Sequence, residues 1–505
     1  MKKTVLRILL IGAVLAVLVT AAFAQEAENL SSALLLEGDA FGDTAFLKNG
    51  YDYDYKNAAE NGKLTVASEE EISSLYLFFV TPPEAYSLED SSSGEKVLCD
   101  NGFIHAFLDL EELFGHPCKE LVISFEKGGQ SLGELTAYSA GELPASVQNW
   151  EEPMDGETDL VLFSTHGDDD QIFFAGLLPY YAGELGYQVQ VCYFTGHQNN
   201  NINRMHEMLN GLWAVGVRTY PVFGPFPDFR VDDLAACYTA LAGNGYSRED
   251  VISYVTEQLR RFKPQVAVGH DLNGEYGHGQ HKIYADCLAE AVEIAQDPAV
   301  YPESAEQYGV WDTPKTYLHL YGENAIVMDW DQPLEHFGGK TAFEVTQKLG
   351  LPCHESQMGT YYPQWLKSVS RCDQLLDYSP CEYGLFRSTV GPDREKKDMF
   401  ENVLTYAEQA EKAAEEEAAR QAEEARLAEE ARKAEERAKA EEAAAAAEKA
   451  KEQERQELAE EVYSESYENP EKVGPVYVVV GVVFAVAFLL LILALVMSLR
   501  KRGRR

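Results

Sequence analysis

Positive charge is scarce in this chain. Its 505 residues carry 42 Lys and Arg against 83 Asp and Glu, a formal net charge of −41. Such a surface repels nucleic-acid phosphates and anionic headgroups. No basic patch interleaved with aromatics occurs before the C-terminal residues 500–505, so nucleic acid is excluded as a partner. There are 8 Cys but no CxxC, which argues against a structural zinc cluster. There is no HExxH, so the common zinc-protease layout is absent. No GxGxxG follows the apolar run at 160–163, which argues against a dinucleotide site. From Asp393 to Asn469 there is neither Gly nor Pro, so nothing there interrupts a helix. No LPxTG precedes the basic C-terminus, which argues against a sortase signal.

What is present gathers in two stretches. Residues 160–163 form a short apolar run of the kind that makes a buried parallel strand. It leads into Thr165-His166-Gly167-Asp168-Asp169-Asp170, and an apolar helical pattern resumes over 172–178. Strand, polar loop and helix make the first half of a βαβ unit, and ligands sit at the carboxyl ends of such strands. Three adjacent carboxylates repel unless something positive lies among them, and a cation held by His and Asp would serve. The alternative is that the Asp residues cap the helix. A second apolar run, 266–268, ends in His270, Asp271, Asn273, Glu275, Tyr276, His278 and His281. With His197 after the run 188–194, several of the 11 His fall in strand-end loops. That clustering favours a shared metal over isolated structural imidazoles.

Taken together, these motifs resemble the zinc-dependent PIG-L/LmbE-type N-deacetylases. The family's Ala-His-Pro-Asp-Asp-Glu aligns with Thr165-His166-Gly167-Asp168-Asp169-Asp170, and its Gly-x-Tyr-Gly-His-Pro-Asp-His with Gly274-Glu275-Tyr276-Gly277-His278-Gly279-Gln280-His281. The likeness covers 159–392. It departs at Gly167 and Gly279, which replace Pro and loosen the loops. It also departs at Asp170, which replaces Glu, and at Gln280, which replaces a carboxylate available to polarise His278. The resemblance implies Zn²⁺, or Fe²⁺ in the same site, held by His166, Asp169 and His281. It implies Asp168 as general base, and Tyr276 and His278 as groups that steady the oxyanion. It implies Arg204 and Asp228 against the sugar, although Arg204 with Glu207 at i+3 is also the spacing of a surface ion pair. The expected function is removal of N-acetyl groups from an N-acetylglucosamine-containing glycan outside the cell. The alternative is a non-catalytic cell-surface glycan-binding protein.

The rest of the chain is read around that domain. Residues 1–24 read as a signal peptide, with Lys2, Lys3 and Arg7 before an apolar core and Ala22-Phe23-Ala24 at the cleavage site. Residues 25–148 hold short β-branched and aromatic runs broken by turn residues, which predicts an all-β sandwich, possibly glycan-binding. Residues 149–158 are the expected linker. Residues 159–392 alternate strands and helices, which predicts a doubly wound, mainly parallel, Rossmann-like α/β sheet. Residues 393–469 are Ala, Glu, Lys and Arg rich and predict a charged helical stalk. Its composition is of coiled-coil type, but large apolar a and d residues are lacking. Residues 476–499 are uncharged and apolar, which predicts one transmembrane helix followed by a basic cytoplasmic tail at 500–505. The expected localisation is therefore single-pass in the cell membrane with the catalytic part outside. Two disulfides, Cys99–Cys118 and Cys372–Cys381, are among the many pairings that export permits.

Overall fold

The computed structural model describes residues 25–196, 202–357, 364–468 and 474–502. The expected signal peptide and His197 lie outside the described residues. The chain divides into two units, Met1–Gln409 and Ala410–Arg505.

The first unit begins with nine strands: β1 Leu35–Gly38, β2 Lys56–Asn57, β3 Gly62–Ile72, β4 Ser74–Phe79, β5 Tyr86–Asp90, β6 Lys96–Cys99, β7 His105–Asp109, β8 Cys118–Phe125 and β9 Ser131–Tyr138. They form two antiparallel sheets, ordered β1-β3-β8-β5-β6 and β2-β9-β4-β7. Leu64 and Val66 of β3, Leu121 and Ile123 of β8, Leu75 and Leu77 of β4 and Leu135 of β9 are buried in one apolar cluster. That cluster runs on without a break through Trp150 into Leu160 and Leu162. The two sheets are thus layers of a larger body, and the independent all-β domain expected from the sequence is not observed. The expected linker is tied down as well. Trp150 is 6 % exposed and packs edge-on against Trp213, and Glu151 bridges to Thr219.

The α/β layer contains β10 Leu160–Ser164, β11 Val189–Tyr193, β12 Val222–Phe223, β13 Val266–Gly269, β14 Lys315–His319, β15 Ala325–Val327 and β16 Glu382–Ser388, ordered β12-β11-β10-β13-β14-β16-β15. β10 to β14 pair in parallel, and β16 joins β14 and β15 antiparallel. The sheet is mixed because β15 and β16 close one edge. Alternate residues of β10 enter separate cores, Leu160 and Leu162 on one face and Val161 and Phe163 on the other. A strand buried on both faces needs an unbroken apolar run. The strand order reverses between β10 and β13, so their carboxyl ends flank the crevice of a doubly wound sheet. Both motif loops leave from there. The helix expected over 172–178 is cut short. It covers Asp169–Ile172, and at Gly176 (φ +93°) the backbone turns left-handed against Trp330.

The sheet β4, β7, β9 meets the helix Ile202–Ala214 through a hydrogen-bonded chain of rings. Tyr76 Oη donates to His105 Nδ1 (2.5 Å), His105 Nε2 to His206 Nδ1 (2.9 Å) and His206 Nε2 to Val80 O (3.3 Å). The carbonyl at the end sets the direction, and the chain requires both imidazoles neutral. Burial holds His206 down at about 4 and His105 well below its usual value. Unfolding lets both rings titrate near 6.5, so the stability they supply is present above that pH and lost as pH falls toward 4. Between about pH 7 and about pH 4.5 the unfolding free energy should drop by on the order of 2 kcal/mol through His206 alone. His206→Gln should remove much of that drop. Urea titrations of both proteins at the two pH values test it, and an identical acid loss in the variant would refute it.

Residues 393–405 are not stalk. Asp393 is buried and accepts from Lys315 Nζ and Tyr317 Oη, both at 2.6 Å. The long helix is Tyr406–Glu468. Its side chains are almost all exposed, and Glu429–Lys433 (2.7 Å) and Glu435–Lys439 (2.6 Å) pair along it. It is described as a solvated helix, without the buried seam of a coiled coil.

The membrane expectation is overturned. Gly474–Arg502 is helical, but among the described residues no helix is long and apolar enough to cross a membrane. The single-pass localisation and the membrane partner fall with it.

All eight cysteines are thiols. Cys372 and Cys381 sulfurs lie 2.6 Å apart. Cys99 and Cys118 are not neighbours, because β5 stands between β6 and β8.

Candidate metal centre and catalytic groups

Three donor atoms meet in the crevice. His166 Nδ1 is 2.9 Å from Asp169 Oδ2, His281 Nε2 is 3.1 Å from the same oxygen, and the two ring nitrogens are 3.3 Å apart. His166 is 8 %, Asp169 3 % and His281 0 % exposed. A tetrahedral ion with donors at 2.0–2.1 Å separates them by about 3.3 Å, so this triangle fits Zn²⁺ or a similar divalent ion. Asp169 is fixed locally, because Oδ2 also accepts from the His166 amide (2.8 Å).

The orientation of both imidazoles is enforced from behind. Gln280 Oε1 accepts from the Phe229 amide (3.1 Å) and its Nε2 donates to Pro227 O (2.8 Å), so the amide cannot flip. The same Oε1 lies 3.1 Å from His166 Nε2, which must therefore carry the proton. A neutral His166 then presents the Nδ1 lone pair to the triangle. His281 is held by Glu275, which is fully buried. Glu275 Oε2 accepts from His281 Nδ1 (2.6 Å) and His270 Nδ1 (2.8 Å), and Oε1 from His319 Nδ1 (2.7 Å) and the Asp271 amide (3.2 Å). His270 Nε2 accepts from the Thr165 amide (3.0 Å) and His319 Nε2 donates to Ser379 O (2.9 Å). One carboxylate thus orients three rings from β13, β14 and the helix Gly279–Ile294.

Electrostatics follow from this packing. Burial alone would raise Asp169 and Glu275, but the imidazoles around them outweigh it and hold both well below the usual carboxylate range. Burial opposes charge on His281, yet Asp169 and Glu275 push it up to about 10. A proton on His281 Nε2 occupies the place a cation would take, so metal binding should release it.

The expected catalytic groups surround the triangle. Asp168 Oδ1 accepts from Arg204 Nη2 (3.1 Å), and Arg204 Nη1 is 3.6 Å from Glu207. Arg204 is 5 % exposed. It lies against the expected base, where its guanidinium holds Asp168. Glu207 is in turn capped by the Ser356 amide (2.6 Å) and hydroxyl (2.7 Å). His278 caps the helix Gly279–Ile294, its Nδ1 accepting from the Gln280 amide (3.3 Å). Its proton is therefore on Nε2. Burial, with His166 and His281 nearby, drives His278 down to about 3, so it is a neutral donor. Tyr276 sits at φ +45°, a strained conformation for a non-glycine residue, with its ring 5.5 Å from that of His278. Burial with Asp169 and Asp168 nearby raises its phenol far above the usual value, so it too is a neutral donor. Asp228 Oδ1 is 3.7 Å from His166 Nε2, on the open side of the crevice.

The departures from the family pattern have local causes. A Cβ on Gly167 would stand 2.4 Å from Met208 Cγ, and one on Gly279 would stand 2.0 Å from Cys237 Sγ. Neighbouring side chains fill the space proline would need, so these loops are packed and not loosened. The Gln280 side chain meets His166, and only its backbone amide reaches the ring of His278. Asp170 is 2 % exposed, and burial pushes it up to about 8. Among the described residues it belongs to none of the donor groups close enough to share an ion. Sequence reasoning placed His270 and Glu275 in the strand-end cluster without a separate role, and did not single out His319. His319 ends β14, the parallel neighbour of β13, and the rule that placed the motifs at strand carboxyl ends points to it as well.

A family model described as PIG-L, GlcNAc-PI de-N-acetylase, matches residues 161–292. The chain is 25% identical over 210 residues to 1D-myo-inositol 2-acetamido-2-deoxy-alpha-D-glucopyranoside deacetylase 1 of Catenulispora acidiphila, covering 38% of this chain and 64% of that protein. It is 29% identical over 189 residues to the corresponding deacetylase of Rhodococcus erythropolis, covering 31% and 59%. The chain therefore spans somewhat under two thirds of the length of these relatives. A solved N,N'-diacetylchitobiose deacetylase from Pyrococcus horikoshii is 14% identical, covering 45% of this chain and 82% of that one at a TM-score of 0.28. Both motif loops and the whole donor triangle lie inside the matched segment, and residues 161–292 are a PIG-L family domain.

Proposed function

We propose that this chain is a metal-dependent N-deacetylase acting on an N-acetylglucosaminyl glycan or glycoconjugate. The observation that carries the reading is the His166–Asp169–His281 triangle with Asp168 and a neutral donor pair beside it. The names of the curated relatives support the substrate class. When bound, a Zn²⁺ or Fe²⁺ ion supplies Lewis acidity and lowers the pKa of the attacking water. The remaining work falls to the chain. Asp168, steadied through Oδ1 by Arg204, takes the water proton as the new C–O bond forms. It then delivers that proton to the departing nitrogen as the C–N bond breaks, giving acetate and a free amine. Tyr276 and His278 donate to the developing oxyanion. Asp228, on the open side, faces the sugar hydroxyls.

Acetate release from N-acetylglucosamine oligosaccharides by the metal-loaded protein is the direct test. Asp168→Asn should lower kcat by about 10²–10⁴ while metal content is unchanged. A variant with the wild-type kcat would remove Asp168 from the reaction.

A further inference from the structure

A second site lies behind the catalytic groups, where the β-sheet layer meets the α/β layer. A cavity of about 1190 Å³ opens there, lined from β4 and β9 on one side and from the helix Ile202–Ala214 and residues 348–356 on the other. This exceeds the roughly 300–1,000 Å³ that holds a drug-sized ligand, so there is room for more than one sugar ring. We propose that this cavity binds free-amine hexosamine units of a partly deacetylated glycan, so that chains already carrying amines are held at the enzyme. The proposal rests on the deacetylase reading, because that reaction is what creates such units.

Charge is the first argument. Asp52, Glu134, Glu207 and Glu355 line the cavity, and its single Lys348 is already paired with Glu344. Among the described residues, no ion pair joins Asp52, Glu134 or Glu355 to a cation. An N-acetylated unit is neutral, whereas each deacetylated unit adds an ammonium that these carboxylates can pair with. The second argument is shape. Tyr53 is 44 % exposed, and its ring is fixed edge-on to Phe78 and His206, each at 5.5 Å. A fixed aromatic beside carboxylates suits a pyranose ammonium, whose C–H face packs on the ring while the cation meets the acids. Burial raises Asp52 and Glu134, and after burial it is Asp52, Glu207 and Glu355, which line the same cavity, that raise Tyr53. A metal ion is the poorer occupant, because among the described residues none of these carboxylates belongs to a donor group close enough to share one. The third argument is position. Glu207 lines the cavity and stands 3.6 Å from Arg204, which holds Asp168 at 3.1 Å. Two side chains separate the cavity from the expected base.

The test is calorimetric titration of the full chain as Asp168→Asn, with glucosamine trisaccharide, its fully N-acetylated counterpart and spermidine as separate probes. The double substitution Asp52→Asn with Glu134→Gln should weaken glucosamine trisaccharide about tenfold or more, the weight of one charge-assisted hydrogen bond. The acetylated trisaccharide should bind the two proteins equally. Glu355→Gln, at an exposed position, should shift binding in the same direction and guards against misfolding of the double variant. Unchanged affinity for glucosamine trisaccharide in both variants overturns the proposal. Spermidine binding as tightly as the trisaccharide overturns it too, since charge alone would then be read. Acetate release by wild type is scored separately. Release without an effect of the cavity variants sinks the cavity alone, and the expected cavity effects without release sink the deacetylase reading and leave a glycan-binding site.

Discussion

Glu275→Ala is expected to destabilise the protein by about 3–5 kcal/mol, the cost of leaving buried charged groups without a partner. Glu275 is 0 % exposed and receives three imidazole N–H groups and one amide. Removing it strands three buried donors at once, and no water-facing path exists for His270, His281 or His319, each 0 % exposed. The conservative Glu275→Gln is the sharper probe. One amide oxygen can still accept, but the amide nitrogen would face an imidazole N–H, so donor meets donor. That variant should fold with reduced stability and lose about 10–100-fold in metal affinity through misorientation of His281. Urea unfolding and metal titration measure both effects. A Glu275→Ala protein within about 1 kcal/mol of wild type would show that the three rings find other partners.

Asp169→Ala is expected to abolish metal loading and, with it, acetate release. Its Oδ2 is the one atom common to both ring nitrogens, at 2.9 Å and 3.1 Å. The loss should exceed the roughly 10–100-fold that an outer partner such as Glu275 is worth. His281 adds a distinguishing signature. With Asp169 gone, one of the carboxylates that push its pKa up to about 10 is removed, so the ring should titrate at lower pH. Metal content by elemental analysis measures the loss of loading, and NMR titration of the His281 ring in both proteins measures the shift. Full metal content with full activity in Asp169→Ala would place the ion elsewhere, for instance on the neighbouring His166, His278 and His281 group.

The central part of the fold was readable because its signals are local. Runs such as 160–163 and 266–268 are uninterrupted and apolar, as strands buried on both faces must be. β16 was not read as a strand, because Gly384 and Arg387 interrupt its apolar run. The layered β region was visible as strands, but its fusion with the α/β body was not. That fusion depends on Trp150 and on the Tyr76–His105–His206 chain, whose members lie far apart in sequence.

The site divides the same way. Donor chemistry is a property of single residues, so His166, Asp168, Asp169, Tyr276, His278 and His281 could be proposed from the family resemblance that two loops carry. Which donor is oriented by which partner is a property of strand order. Glu275 meets His319 only because β13 and β14 are parallel neighbours, and Gln280 meets His166 only because β10 lies beside β13. Arg204 illustrates the limit, since its spacing to Glu207 was plain in the chain while its contact with Asp168 was not. Residue identity alone determined what chemistry the crevice can hold. Long-range packing decided how each ring is turned, where the base is braced and where the acidic cavity opens, because those contacts join segments that only the assembled sheets bring within hydrogen-bonding distance.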